Sequence, residues 1–503
     1  MNQATRRHAA AGAVMAVGLA WAWSAPAWAA SQAEAEALAA DIGAALTQPM
    51  PSAPGLSFTT SEPVRVVVAG DGYDVTLPNL AFAESDSGLE AQIGTVTLRL
   101  VPNATDADRM AFSGRLDSES ITVTAEGDPA ARITIGEQQF QGTWSNTLLT
   151  FIDLNAKLGN IRIVPLDPEG ELGSIDLGGI AVAIVSSDVG PGRIDMDLRA
   201  DISDFSVTIE GDTPARLDRL SIVEAIQGLD IVAYGQFAAE MRQATDQMGA
   251  SADPTQAMQQ MFDALLRMPK IATGGFIEWS IDGLNIDAEG ERVLLDHHLF
   301  HLGITGLDQA NATLGLDVVL NGLVVPPSEV PAEMVPQSFD LGIEISKLPT
   351  AALFEMLGQS LAGADLNDPT GMEMMGEMLG MQMMGMILQA GTSLGLDGSI
   401  GWDIANVSYN GELTADAAAM MQGTGFFDLA ITNMQALVAR IASLAGDPSA
   451  AAGFAMIQAI GNQETAANGD PLTRFKIELL PDGRTLLNGQ DLEPLIGAIL
   501  MAR

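Results

Sequence analysis

Phe339-Asp-Leu-Gly-Ile343 sets the pattern of this chain, and Phe427-Asp-Leu-Ala-Ile431 nearly repeats it. A looser copy, Phe300-His-Leu-Gly-Ile304, stands upstream. In each, apolar residues occupy alternate positions, the period of a strand with one buried face. The two better copies are each followed by a run of helical spacing. Between them lies Gly371-Met-Glu-Met-Met-Gly-Glu-Met-Leu-Gly-Met-Gln-Met-Met-Gly-Met386. The C-terminal half therefore reads as a repeated strand-to-helix unit with a soft apolar helix inside it.

Composition bounds the rest. The chain has 503 residues, room for two or more domains or one elongated repetitive one. Hydrophobic residues are 47% and aromatics 5%, so a core is built from Leu, Ile, Val, Ala and Met rather than rings. A net charge of −41 argues against nucleic acid, which needs a basic face, and against electrostatic docking on anionic lipid. With no cysteine, disulfides, thiol catalysis, iron–sulfur clusters and cysteine-based zinc sites are excluded.

Residues 1–30 read as an export signal. Arg6 and Arg7 form the positive segment, Ala9–Trp23 the apolar core, and Ala27-Trp28-Ala29 a small-residue cleavage site. Its removal takes two arginines and no acid, so the charge passes from −41 to −43. Thr5-Arg6-Arg7 points to the twin-arginine route, while His8-Ala9-Ala10 fits the ordinary secretory route better. An uncleaved anchor is the alternative, which Pro26 and its small neighbours disfavour.

Leu38, Ile42 and Leu46 recur every fourth residue and predict a helix over Ser31–Thr47. Val64–Val68 and Tyr73–Leu77 flank Gly70-Asp71-Gly72, a hairpin signal, and Ile93–Leu100 continues the strands. Ile194–Ile202 alternates with Asp195, Asp197, Arg199 and Asp201 on one face, an antiparallel strand with a wet side. The stretch Val123–Ile133 matches Val207–Leu217; both read strand, Glu-Gly-Asp turn, strand. Ile222–Met248 and Asp253–Met268 look helical. Trp279–Ile286 resembles Trp402–Tyr409, and each precedes a Phe-x-Leu-x-Ile strand, as stacked repeats do. Phe475–Leu480, a turn at Pro481-Asp-Gly483, Thr485–Gln490 and an apolar helix over Leu492–Met501 close the chain.

Few residues invite chemistry. Gly391-Thr-Ser393-Leu-Gly395 has the spacing of a nucleophile elbow, but a helix-like run precedes it and no His follows His301. His297 and His301 would share a face and a metal only on a helix; on a strand they separate by about 13 Å and His298 points to the opposite face, so no metal is assigned. No phosphate loop, dinucleotide fingerprint or zinc-protease motif is present, and no cofactor is implied. The Met run admits three readings: a buried helix, an adaptable surface for a hydrophobic ligand, or a thioether site for Cu(I). Hydrophobic-ligand contact is expected of Met374, Met378, Met381 and Met384, on a helix covered on most sides by sheet, neighbouring helices or ligand, with core packing for most of the run and a groove at its exposed edge.

The segments Phe339–Leu353 and Phe427–Leu437, with the ending Thr485-Leu-Leu-Asn-Gly-Gln-Asp-Leu492, resemble the recurrent strand–helix pieces of YdgA-like and AsmA-like bacterial envelope proteins. The likeness spans about residues 276–503. It implies an extended, curved sheet with helices, an envelope location, and a link to lipid transport or outer-membrane homeostasis. Its signatures are structural, so it carries over no functional residue. AsmA-like proteins usually keep an N-terminal anchor, whereas this chain reads as having a cleavable signal.

The expectation is an exported, non-enzymatic α+β protein with long curved antiparallel sheets partly covered by helices. Its expected divisions are a signal over 1–30, a β-rich region over 31–222, a helical segment over 223–270, and strand–helix repeats over 271–503 with the Met-rich helix at 371–390. The expected role is to bind or transfer a lipid or other hydrophobic ligand in the periplasm. The alternative is a structural or interaction protein of the envelope, with a protein partner and no small ligand.

Overall fold

Alternating apolar residues make antiparallel ladders, and such ladders dominate the computed structural model. It describes residues 31–46, 56–84, 88–103, 106, 108–145, 150–166, 172–209, 212–250, 260–261, 264, 266–288, 291–326, 335–362, 369–445, 458 and 460–492. Strand accounts for 63% of the structure and helix for 19%, which makes the chain a long antiparallel β-sheet accompanied by a few helices. The chain divides into two compact units. The first holds residues up to Asp188, then Met196–Val223 and Asn285–Asp287. The second holds Val189–Asp195, Glu224–Leu284 and Ala288–Arg503.

The first unit opens with helix α1 (Gln32–Leu46). Ser31 caps it: the Glu34 amide donates to the Ser31 hydroxyl at 3.3 Å, and the Ser31 amide donates to the Glu34 carboxylate at 3.1 Å. That reciprocal box satisfies two otherwise orphaned donors. The Tyr73 hydroxyl donates to the same carboxylate at 3.0 Å. Strands follow: β1 (Leu56–Thr59), β2 (Arg65–Ala69), β3 (Gly72–Glu84), β4 (Leu89–Pro102), β5 (Arg109–Leu116), β6 (Ser120–Ala125), β7 (Asp128–Ser145), β8 (Thr150–Pro165), β9 (Leu172–Gly190), β10 (Arg193–Ile209) and β11 (Asp212–Asp230). β3 takes β1, β2 and β4 as antiparallel neighbours. β5 and β6 share the slot between β4 and β7, and β8 and β9 follow in turn. Gly70 turns the β2–β3 hairpin at φ 58°. Glu126 and Gly127, at φ 55° and 91°, turn β6 into β7, as a two-residue primed turn requires. Its expected twin at Glu210-Gly211 lies outside the described residues.

This unit has a closed core. Leu38 and Ile42 of α1 are fully buried with Tyr73, Leu77, Leu80 and Ile121. A second cluster gathers Phe151, Leu154 and Ile184, with Trp144 edge-on to Phe151 at 5.1 Å.

The wet side of β10 is held by charge. Asp201 accepts from Arg199 Nε at 2.8 Å and Arg219 Nη2 at 2.6 Å. Burial alone would push its carboxyl up, but hydrogen bonds from Arg199, Arg219 and Ser221 outweigh it and bring the pKa to about 2, from 3.8. A lowered folded pKa adds stability above pH 3.8, lost as pH falls through 2. Asp201→Asn is therefore expected to cost about 2 kcal/mol at pH 7, and the gap to wild type should close between pH 4 and pH 2 in urea titrations.

The second unit takes in Val189–Asp195 and then continues from the end of β11. The expected helix over Ile222–Met248 is corrected here: β11 runs to Asp230, and helix α2 (Ile231–Ala250) starts only there. Ile222, Val223 and Ile226 are β-branched and favour strand. Asp230 then caps the helix, accepting from the Ala233 amide at 2.9 Å. Most of Asp253–Met268 lies outside the described residues. A short helix α3 (Met268–Ile271) leads into β12 (Gly274–Ala288), β13 (Glu291–Thr305), β14 (Ala312–Asn321) and β15 (Ser338–Leu348). Helices α4 (Thr350–Ala362) and α5 (Pro369–Ala390) separate β15 from β16 (Ser393–Gly401). Then come β17 (Asn406–Ala415), β18 (Gly423–Thr432), α6 (Met434–Ala445), β19 (Asn462–Thr465), β20 (Pro471–Leu479), β21 (Thr485–Leu487) and β22 (Gln490–Asp491). β13 to β18 pair consecutively and antiparallel, and β20 pairs with β18. Trp279 lies in β12, but Trp402 lies in the turn before β17, so the likeness of those two stretches does not extend to their structure. The apolar run over Leu492–Met501 lies almost wholly outside the described residues.

Candidate functional site

An antiparallel register places side chains in rows, and in the second unit the rows sort by polarity. On one face β13 presents Phe300, Leu302 and Ile304. Opposite them stand Val318, Leu316 and Leu314 of β14, and next Leu341, Ile343 and Ile345 of β15. β16 adds Leu394, Leu396 and Ile400; β17 adds Val407, Tyr409 and Leu413. β18 continues with Phe427, Leu429 and Ile431, and β20 ends the face with Phe475, Ile477 and Leu479. The reverse face of the same strands carries His301, Asp317, Asp340, Glu344, Asp397, Asn410, Glu412, Asp428, Arg474 and Lys476. Leu299, Val319 and Phe426 interrupt that polar side, so the sheet is amphipathic with a few apolar breaks on its reverse.

The apolar face is not closed. Leu302, Leu394, Leu413 and Ile477 are exposed, at 38%, 43%, 47% and 38%, and most of the others are half-buried. The apolar side is still the more sheltered of the two in β15, where Asp340 and Glu344 are exposed and Leu341, Ile343 and Ile345 are half-buried. Six inter-strand steps of about 4.8 Å span about 29 Å, and four alternate residues span about 20 Å. The face therefore covers about 600 Å² of sheet, and Leu302, Leu394, Leu413 and Ile477 open part of it to water. The adjoining helices attach at strand ends. Thr392, just after α5, donates its hydroxyl to Lys347 O at 3.0 Å and accepts from the Ala415 amide at 2.8 Å. α6 leaves from the opposite end of β18 and touches β20.

Tyr409 is a polar member of the face. Its ring lies over Gly398, and its hydroxyl donates to Asp340 O at 3.1 Å. A Cβ at position 398 would come within 2.7 Å of that hydroxyl. Burial, then the charges of Asp340 and Asp397, push the phenol up.

The histidines do not converge. His297 Nδ1 meets Asp282 Oδ1 at 2.6 Å, and His301 Nδ1 meets Glu278 Oε2 at 3.4 Å, both on the polar face. His298 points to the apolar face, edge-on to Trp279 at 4.7 Å. Among the described residues, no group of three or more His, Cys, Asp or Glu is placed to hold a metal ion. Ser393 opens β16 and faces Ser346 of β15, hydroxyl to hydroxyl at 2.7 Å, so it sits on no strand-to-helix elbow. In the first unit an open cavity of about 530 Å³ lies between α1 and residues 60–64, lined by small side chains such as Ala39, Ala40 and Gly43.

Met374, Met378, Met381 and Met384 all lie on α5 and are exposed at 66%, 49%, 71% and 52%. Of the expected cover, the chain itself supplies part: α5 touches α4 and the ends of β15 and β17, and the side it keeps open carries these methionines. These methionines do not belong to the sheet's apolar face. Sequence reasoning missed the residues that do. Their signal was present as period-two runs, but such runs carry no mark of whether a second layer covers them. No family model, curated protein or solved structure matches the chain. Among the described residues, no helix is long and apolar enough to cross a membrane.

Proposed function

We propose that this chain is an exported envelope protein that holds or passes a lipid or similar long-chain ligand on the apolar face of its second unit, without catalysing a reaction. One observation carries the reading: a continuous apolar face across β13–β18 and β20, half-open to water, on a sheet whose reverse is acidic. The exposed part of that face, at Leu302, Leu394, Leu413 and Ile477, costs free energy unless something covers it. An array made mostly of Leu, Ile, Val and Phe suits hydrocarbon chains, which require contact area and few hydrogen bonds. The proposal includes the finer architecture, a curved sheet built from strand–helix repeats, and the likeness to YdgA-like and AsmA-like proteins. Supporting the repeat, β15 and β18 each run into a helix after one residue. The N-terminal signal pattern supports location in the periplasm.

The test is native mass spectrometry of the full chain purified from its exporting host, followed by titration with a fluorescent long-chain fatty acid. Co-purified lipid and saturable uptake are expected. A protein that leaves the host without lipid and takes up no probe would overturn the reading and favour an envelope interaction protein.

A further inference from the structure

Helix α5 carries the one sequence motif that the sheet face does not use. Among its residues with described side chains, the half-buried side includes Leu379, Met383, Met386, Ile387 and Leu388. On the exposed side every apolar residue is methionine: Met374, Met378, Met381 and Met384. Packing does not select methionine where nothing packs. Helix propensity does not select it either, since leucine is its equal. What distinguishes these side chains from leucine is the thioether sulfur.

We propose that this stripe binds a soft monovalent cation, Cu(I), through thioether sulfurs. At about 100° and 1.5 Å per residue, the four positions fall within an arc of about 120°. Successive members stand about 4.5–6 Å apart along the axis. Two sulfurs on opposite sides of an ion, each about 2.3 Å away, lie about 4.6 Å apart, which matches that spacing. Methionine's three rotatable bonds let neighbouring sulfurs turn toward one ion. Thioethers are soft ligands that suit Cu(I), whereas Zn(II) sites are built from thiolate, imidazole and carboxylate. The chain has 25 methionines and no cysteine, so its soft donors are all thioethers. Charge agrees: Glu377 is exposed on the same side of the helix, and the whole chain carries −41. A cation is attracted there without meeting a basic neighbour on the helix. The site is independent of lipid on the sheet.

The experiment titrates the full chain with Ag(I), an air-stable stand-in, by calorimetry. It repeats the titration with Cu(I) under reductant against a chromophoric chelator. The comparison is the quadruple variant Met374→Leu, Met378→Leu, Met381→Leu and Met384→Leu, which keeps bulk and helix propensity and removes only sulfur. Loss of an outer-shell group alone weakens metal sites by about 10–100-fold, so loss of these ligands should weaken Ag(I) and Cu(I) by at least about a hundredfold. Zn(II) should bind neither protein at this helix. Circular dichroism and fatty-acid uptake should match wild type, which shows that the variant folds. Equal Ag(I) affinity in the two proteins, or no stoichiometric Ag(I) uptake by wild type, would overturn the proposal.

Discussion

Ile343→Asp is expected to reduce fatty-acid uptake by roughly a hundredfold to a thousandfold at pH 7, leaving the protein folded. Ile343 sits between Leu316 and Leu396 near the middle of the apolar face. A hydrocarbon chain lying across the face would bury the new carboxylate. An ionised carboxylate without a partner does not survive burial; it takes up a proton instead. From an ordinary pKa near 4, protonation at pH 7 costs about 3 pH units, or about 4 kcal/mol, equal to about a thousandfold in affinity. Partial uncovering of the acid lowers that to about a hundredfold.

The sign gives a control. The penalty is protonation, so it shrinks as pH falls, and the variant's uptake should approach that of wild type near pH 4. Ile343→Asn removes the charge and keeps the shape; it should fall between the two and show no such pH dependence. Retained uptake by Ile343→Asp at pH 7 would mean that the ligand does not cross this face. The wild-type probe must itself be measured across the pH range, because its own carboxyl titrates.

Why the site escaped a reading of the sequence is visible in two strands. Val75 and Leu77 of β3 and Ile343 and Ile345 of β15 belong to the same kind of alternating run. The first pair is buried and the second half-exposed. Period two says which side chains share a face, and both faces were read correctly. It does not say what lies above the face, which depends on the placement of segments far away in sequence. Leu38 and Ile42 close the first face because α1 lies against β1 and β2. The helices beside β15 and β18 attach at strand ends. The end of β11 was misread for a related reason. Leu229 and Ile231 continue an apolar pattern through the boundary, and only the cap at Asp230 marks where helix begins. The Met run was read correctly as helix. An exposed edge is part of that reading; how far the exposure extends depends on which strands and helices pack beside α5, which apolar content does not specify.

Truncating the two faces should expose the same contrast in stability. Leu80 and Ile121 are fully buried, at 0% and 1%. Leu80→Ala or Ile121→Ala removes atoms from a packed core and leaves a cavity, so each is expected to cost about 2–5 kcal/mol. Ile343→Ala and Leu396→Ala remove atoms that already touch water, so about 1 kcal/mol is expected from lost area alone. Fluorescence can assign each loss to its unit. Outside residues 1–30 the tryptophans are Trp144, Trp279 and Trp402, and only Trp144 belongs to the first unit. In a Trp279→Phe, Trp402→Phe background, the urea midpoint followed at Trp144 should fall sharply for Leu80→Ala and barely for Ile343→Ala. Adding a long-chain fatty acid should raise the stability of the second unit, followed at Trp279 in a Trp144→Phe background, because a ligand that binds only the folded state stabilises it by mass action. That increment should shrink in Ile343→Ala, which has less surface to offer the chain. An Ile343→Ala cost as large as that of Ile121→Ala would mean that the face is packed as a core, and the ligand-binding reading would fall with it.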